Sequence, residues 1–154
     1  MSHRPTPFSV ISGAVRLAIE TDGEAVSAIH LNGRAKRAAE GAFERRIERE
    51  LLEYLRGDRR EFSFARKPSG TAFERAVWDE LERIPYGATR TYGEIARSLG
   101  RPRAARAIGM ANHKNPIPIV IPCHRVVAAG GKLGGYGGGL ALKRRLLALE
   151  GAWP

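Results

Sequence analysis

The 154-residue chain carries one cysteine, Cys123, within Ile121-Pro122-Cys123-His124-Arg125-Val126. A lone cysteine forms no internal disulfide and completes no Cys₂ or Cys₄ metal site. It is either an inert buried thiol or a reactive one. His124 follows directly, and the surrounding stretch is strongly basic. Both features favour thiolate, the nucleophilic form of sulfur. Adjacent side chains of an extended segment point in opposite directions. On that reading His124 does not stack on the sulfur and acts through water, with a carboxylate behind it orienting the imidazole. Glu150 is the only acid in the last 60 residues and is the natural candidate. The competing reading is a buried cysteine beside a surface histidine.

Charge points to the kind of partner. The net charge of +10 is uneven: residues 1–66 contribute +2 and residues 67–154 contribute +8. Between Glu94 and Glu150 there are ten basic residues and no acidic one. A one-signed field over 55 residues fits a polyanion, of which nucleic acid is the usual case. Acidic lipid is the main rival, but the region lacks an amphipathic helix with exposed aromatics. No apolar run reaches the length of a membrane span. The N-terminus lacks an apolar signal core, and one cysteine suits a reducing compartment. The expectation is a cytoplasmic protein that does not bind membranes.

These residues must be held by a scaffold. Residues 9–32 read as a β-hairpin, with residues 10–20 as its first strand, a turn at Asp22-Gly23 and residues 25–31 as its second. Phe43, Ile47, Leu51 and Leu55 recur every four residues, which predicts a helix over 40–55. Phe62-Ser63-Phe64 alternates as a short strand. Arg66-Lys67-Pro68-Ser69-Gly70 has the composition of a linker. Thr71-Ala72-Phe73-Glu74 and Thr91-Tyr92-Gly93-Glu94 are capping boxes that open helices. Pro102 suits the first turn of a helix running from Arg103 to about Asn112. Asn115-Pro116-Ile117-Pro118 breaks it, and residues 119–127 carry the cysteine. Residues 130–139 hold seven glycines and form a loop, and residues 140–149 form a last helix.

Helices at about 92–99 and 102–112, joined by Gly100-Arg101, make a helix–turn–helix. Ala104, Ala105, Ala107, Gly109 and Ala111 give the second helix a surface of very small side chains. That surface suits tight packing within the domain or close approach to a DNA groove. Arg101, Arg103 and Arg106 at its start favour DNA, since they can meet phosphates or bases. Gly134-Gly135-Tyr136-Gly137-Gly138-Gly139 lacks the Lys-Ser/Thr ending of a phosphate-binding loop. It is either a connector or a loop that closes on a flat ligand, with Tyr136 as a wall.

Together these segments resemble the O6-alkylguanine-DNA alkyltransferase family, the methylated-DNA–protein-cysteine methyltransferases. The resemblance rests on Ile121-Pro122-Cys123-His124-Arg125-Val126, on Arg106-Ala107-Ile108-Gly109 and Asn115-Pro116 upstream, on Tyr92-Gly93, on Gly134-Gly135-Tyr136 and on Leu149-Glu150-Gly151. It covers residues 70–151 closely and residues 1–66 loosely. It implies an α/β N-terminal domain over 1–66, a small antiparallel sheet plus a helix. A mostly α-helical C-terminal domain over 67–154, with a winged-helix-like helix–turn–helix, follows. The implied activity is single-turnover transfer of an alkyl group from a flipped-out O6-alkylguanine, in double-stranded DNA, to Cys123. O4-alkylthymine is a further candidate substrate.

The resemblance also assigns roles. Cys123 would be nucleophile and acceptor, His124 would take its proton through water, and Glu150 would polarise the histidine. Asn115 would hold the active-site turn. Arg106 would fill the gap left by the extruded nucleotide, and Tyr92 would press on the adjacent phosphate and donate a proton to the leaving guanine. Arg101, Arg103, Ala105 and Arg125 would join Arg106 and Tyr92 on the DNA. Tyr136, Gly137, Gly138, Val126 and Pro118 would line the base pocket. No cofactor or metal is implied, and the protein would act as a monomer. Some relatives carry zinc in the N-terminal domain, but Cys123 is the only cysteine here. Gly137 stands where some relatives have serine. A related non-enzymatic group has tryptophan at the cysteine position, so Cys123 argues against lesion binding alone. The competing classes are a DNA-binding module with an incidental thiol and a multiple-turnover thiol hydrolase.

Overall fold

The computed structural model describes residues 6–153. The chain divides into two compact units, Met1–Ser69 and Gly70–Pro154. In the first, β1 (Phe8–Ser12), β2 (Val15–Thr21) and β3 (Val26–Leu31) precede a two-residue β4 (Arg37–Ala38) and helix α1 (Gly41–Leu55). The strand order is β3-β2-β1-β4. β1, β2 and β3 pair antiparallel, but β4 runs parallel to β1. The sheet is therefore mixed, not antiparallel as expected. Arg37 holds β4 in place: its guanidinium meets Glu44 of α1 at 2.6 and 2.9 Å and also donates to Thr6.

The predicted strand over 10–20 is two strands. Ser12 pairs with Val15, and Gly13, at φ 58°, supplies the left-handed turn between them. No Asn-Gly or Asp-Gly pair marks this turn, so periodicity alone ran through it. α1 buries Ile47, Leu51, Tyr54 and Leu55. Phe62 and Phe64 pack by their rings beside Tyr54 instead of forming a strand. The chain next pairs with β3: Val26 N–H donates to Ala65 O, and Lys67 N–H to Val26 O, at 2.9 and 2.8 Å. This pairing keeps residues 65–67 within the first unit.

The second unit contains α2 (Ala72–Glu82), β5 (Arg90–Thr91), α3 (Tyr92–Ser98), α4 (Ala105–His113), β6 (Val126–Val127) and α5 (Leu140–Leu149). Both capping boxes form. Thr91 Oγ1 accepts the Glu94 N–H and Glu94 Oε1 accepts the Thr91 N–H, each at 3.1 Å. α3 and α4 pack as a helix–turn–helix. α4 starts two residues later than Pro102 implied. Ala104 N–H bonds back to Arg101 O at 2.9 Å, so Pro102 serves the intervening turn. Ile108 and Ala111 of α4 face the core, and Trp78 Nε1 of α2 donates to Ala111 O at 2.9 Å.

β5 and β6 pair in parallel, with Arg90 opposite Val126 and Thr91 opposite Val127. They are the only sheet of this unit among the described residues, and they do not form the hairpin of a wing. The pairing sets the residue that opens the helix–turn–helix beside the strand that follows Cys123. The Thr91 cap thus serves stability and placement together. Thr91→Ala is expected to lower unfolding free energy by about 1 kcal/mol, and Thr91→Ser to restore most of it. Urea unfolding of both variants measures the difference.

Candidate active site

The cysteine segment is not extended. Cys123–Arg125 form a single 3₁₀ turn capped by Pro122. Leading into it, Asn115 Nδ2 donates to Ile121 O at 2.7 Å, and its Oδ1 accepts from Ile117 N–H at 3.0 Å. Between these anchors Ile119 adopts φ 74°. That is a left-handed conformation which β-branched residues avoid, and such strain persists only where surroundings over-determine it. The Asn115 clamp and the burial of Ile117, Ile119 and Ile121 do so here. Asn112 of α4 adds a bond from Nδ2 to Cys123 O at 3.4 Å, so the second helix of the helix–turn–helix touches the cysteine's own main chain.

Behind Cys123 lies a buried charge network. His124 Nε2 and Glu150 Oε2 are 2.8 Å apart. Arg125 grips the same carboxylate, with Nε on Oε1 at 2.8 Å and Nη2 on Oε2 at 3.0 Å. Its Nη1 donates to Ile84 O at 2.8 Å, and the guanidinium lies 5.8 Å from the Tyr86 ring centre. Arg125 was expected on DNA. It is instead buried, where its guanidinium balances the charge of the Glu150 carboxylate; a buried carboxylate without such a countercharge costs several kcal/mol. The 3₁₀ turn makes this possible by carrying His124 and Arg125 to one carboxylate.

The electrostatics correct a second expectation. Burial pushes the Cys123 thiol up to about 11, against an Asn115 hydrogen bond and the charge of Lys143. The basic stretch leaves the resting group a thiol, because a nearly dry site penalises the anion more than nearby charge favours it. Burial likewise lowers the His124 pKa, outweighing Glu150, so the imidazole is neutral at pH 7 and able to accept a proton. Burial also raises the Tyr92 phenol, with a contribution from Cys123, which keeps its proton in place.

Tyr92 joins three elements. Its ring lies over Gly109 of α4, where a Cβ would come within 3.8 Å. Its hydroxyl meets the glycine loop, bonded by the Gly135 main chain. A Cβ at Gly134, which has φ 77°, would stand 3.1 Å from that hydroxyl. Tyr136 is half-buried, but its hydroxyl is enclosed and has no hydrogen-bond partner. Gly137 and Gly138 follow beside it, with a Cβ at Gly137 reaching 4.0 Å from the His113 ring. Val126 and Pro118 are buried. Arg103, in the turn before α4, and Arg106, in its first turn, are exposed, with Ala105 half-buried between them. Arg101, also exposed, stacks on Phe73 at 5.3 Å.

Sequence reading missed Lys143. Its side chain is wholly buried, and Nζ donates to Val126 O at 2.6 Å and Gly135 O at 3.0 Å. It therefore ties the strand after Cys123 to the glycine loop. Burial lowers its pKa to about 8, opposed by Cys123. The available signal was positional: Lys143 shares the inward face of α5 with Leu146 and Leu147, and a charge at a core position needs a partner.

Fold and site together define a helix–turn–helix protein built around a buried thiol. The 6-O-methylguanine DNA methyltransferase DNA-binding domain matches residues 72–152. The chain is 52% identical over 110 residues to the methylated-DNA–protein-cysteine methyltransferase of Methanosarcina acetivorans, covering 71% of this chain and 70% of that one. It is 54% identical over 114 residues to the Mycolicibacterium paratuberculosis protein of the same name, covering 74% and 66%. The Mycobacterium tuberculosis OGT, solved in complex with DNA, superposes with a TM-score of 0.87 at 40% identity, over 96% of this chain and 94% of that one. The chain belongs to the 6-O-methylguanine DNA methyltransferase family.

The charge balance at sulfur is directly measurable. Thiolate absorbance, read against Cys123→Ser, is expected to titrate with a midpoint near 11. A midpoint near the ordinary thiol value in the parent protein contradicts this account of burial.

Proposed function

We propose that the protein repairs DNA by direct reversal, moving an alkyl group from O6-alkylguanine onto Cys123 once per molecule. The observation that carries the reading is the buried Cys123–His124–Glu150 set placed behind the DNA-facing helix. The damaged base lies within a duplex, so it must leave the stack to meet a cysteine that is only 5% exposed. Extrusion costs a few kcal/mol, less for a badly paired base. Arg106, exposed on α4, enters the vacated position and offsets part of that cost. α4 sits in the minor groove, where its small side chains permit close approach.

Deprotonation is coupled to the reaction. The Cys123 proton passes through a water to neutral His124, whose other ring nitrogen is bonded to Glu150. Sulfur then attacks the alkyl carbon. A carbon–sulfur bond forms, the carbon–O6 bond breaks, and its electron pair passes to guanine. Tyr92 supplies a proton to the leaving base, consistent with a phenol held protonated by burial, and the proton that His124 took from Cys123 then restores the phenol through solvent, so the thiol proton ends on guanine. Lys143 stabilises the transient thiolate through space and braces the loop that closes on the base. Tyr136, Gly137 and Gly138 line the flipped base, and O4-alkylthymine presents the same alkyl–oxygen bond.

The product is a thioether. Unlike a thioester it has no activated carbonyl for water to attack, so the protein remains alkylated. This separates the reading from a thiol hydrolase, which turns over. The protein acts as a monomer on double-stranded DNA, in the cytoplasm, without a cofactor.

Incubation with a duplex containing O6-methylguanine is expected to add one methylene mass per chain, mapping to Cys123 in intact-mass and peptide analysis. An unchanged mass, or substrate consumed beyond one equivalent, refutes single-turnover transfer. Arg106→Ala is expected to slow duplex repair by about an order of magnitude or more while leaving reaction with free O6-benzylguanine nearly unchanged, because only the duplex requires extrusion. Equal losses on both substrates argue against a flipping role.

A further inference from the structure

α4 has one side chain that breaks its small-residue surface. Met110 is 59% exposed, and only Ile11 and Leu140 share that status among the described large apolar residues. It stands as a ridge between two concavities. One, of about 520 Å³, is lined by Tyr92, Arg106, Gly109 and His113; the other, of about 200 Å³, by Phe73 and Ala107. Both also include Met110 and Lys114. The larger concavity is almost wholly apolar yet shares Arg106 and Tyr92 with the machinery described above. Arg106 and Lys114 lie four residues to either side of Met110, on its helical face. Glu74, which also lines the smaller concavity, is 3.9 Å from Lys114, so among the described residues the larger concavity carries the unopposed positive charge of Arg106.

Such a surface, apolar at its crest and cationic along its flanks, complements a partner with anionic rails and apolar walls between them. The minor groove of duplex DNA has that character, with phosphates outside and sugar faces within. Proteins that bind this groove commonly insert an apolar wedge at a base step. A rise of about 1.5 Å per residue puts Met110 about 6 Å along α4 from Arg106. With base pairs about 3.4 Å apart, a helix following the groove spans roughly two steps between them.

Resting on the alkyltransferase reading, we propose that Met110 is a second wedge, pressing into the minor groove about two base steps from the gap that Arg106 fills. It sets how deeply α4 seats and makes repair sensitive to flanking sequence. Pyrimidine–purine steps, which unstack easily, accept the wedge more readily than stiff A-tracts. Arg106 acts at the lesion; Met110 reads deformability beside it.

The test uses full-length protein and duplexes carrying O6-methylguanine, with 2-aminopurine two pairs away on either side. The parent protein is expected to raise 2-aminopurine fluorescence on one side and to repair lesions beside a TA step faster than lesions beside an A-tract. Met110→Ala is expected to lose the fluorescence rise, to slow duplex repair roughly fivefold and to flatten the flank preference, the scale of removing part of a buried apolar side chain. Met110→Leu, with nearly the same volume, is expected to retain all three. Reaction with free O6-benzylguanine should be equal in every variant, which separates a groove contact from damage to the thiol site. Unchanged duplex kinetics, flank preference and fluorescence in Met110→Ala overturn the proposal. So does a change confined to self-association in sedimentation, which assigns the ridge to a second copy of the chain. Absence of duplex repair by the parent protein is a different failure, that of the alkyltransferase reading itself.

Discussion

The carboxylate of Glu150 is the fixed point of the catalytic unit. Its two oxygens accept from Arg125 and His124, and all three groups are buried. An isolated carboxylate in such a place would be costly, whereas a forked guanidinium satisfies both oxygens and leaves one to orient an imidazole. The network joins three parts of the unit. Glu150 caps α5, His124 and Arg125 belong to the cysteine turn, and Arg125 reaches the main chain at the end of α2 through Ile84. Removing a partner leaves a buried charge uncompensated, so orientation of the base and integrity of the fold depend on the same contacts.

The thiol is held in a state unlike its reactive one. Dryness disfavours the anion, neutral His124 stands ready to receive a proton, and Lys143 supplies the one buried ammonium that acts on sulfur. The resting group is therefore the protonated thiol. The cost of that restraint is shared by neighbouring backbone. Ile119 is held in the left-handed region by the Asn115 clamp, and Gly135 is held by Lys143 and Tyr92. Tyr92 lies against both Gly109 of α4 and Gly134 of the glycine loop, so one side chain packs on both elements.

Much of the fold was legible locally. The Thr71 and Thr91 capping boxes, the α1 stripe through Ile47 and Leu51, and the break at Asn115-Pro116 are short-range signals, and each marks a real element boundary or face. What escaped were features with no local signature. The Gly13 turn lacks the usual companion residue. β4 pairs with β1 in parallel while Arg37 ties it to Glu44 of α1, and Phe62 and Phe64 pack by their rings although they alternate like a strand.

The sequence by itself determined which groups exist for chemistry: a single thiol, a histidine beside it, one acid in the last 60 residues and a basic, small-faced helix upstream. Composition and spacing suffice for these because they are properties of residue type and order. Only tertiary structure decided what state those groups occupy. It turned the cysteine segment into a 3₁₀ turn, withdrew Arg125 from the surface to Glu150, and brought Lys143 of α5 onto the strand that follows Cys123, where its charge acts on the sulfur. Burial and pairing are relations between segments far apart in the chain. They set whether Cys123 is a thiol or a thiolate, and no reading of its immediate neighbours could do so.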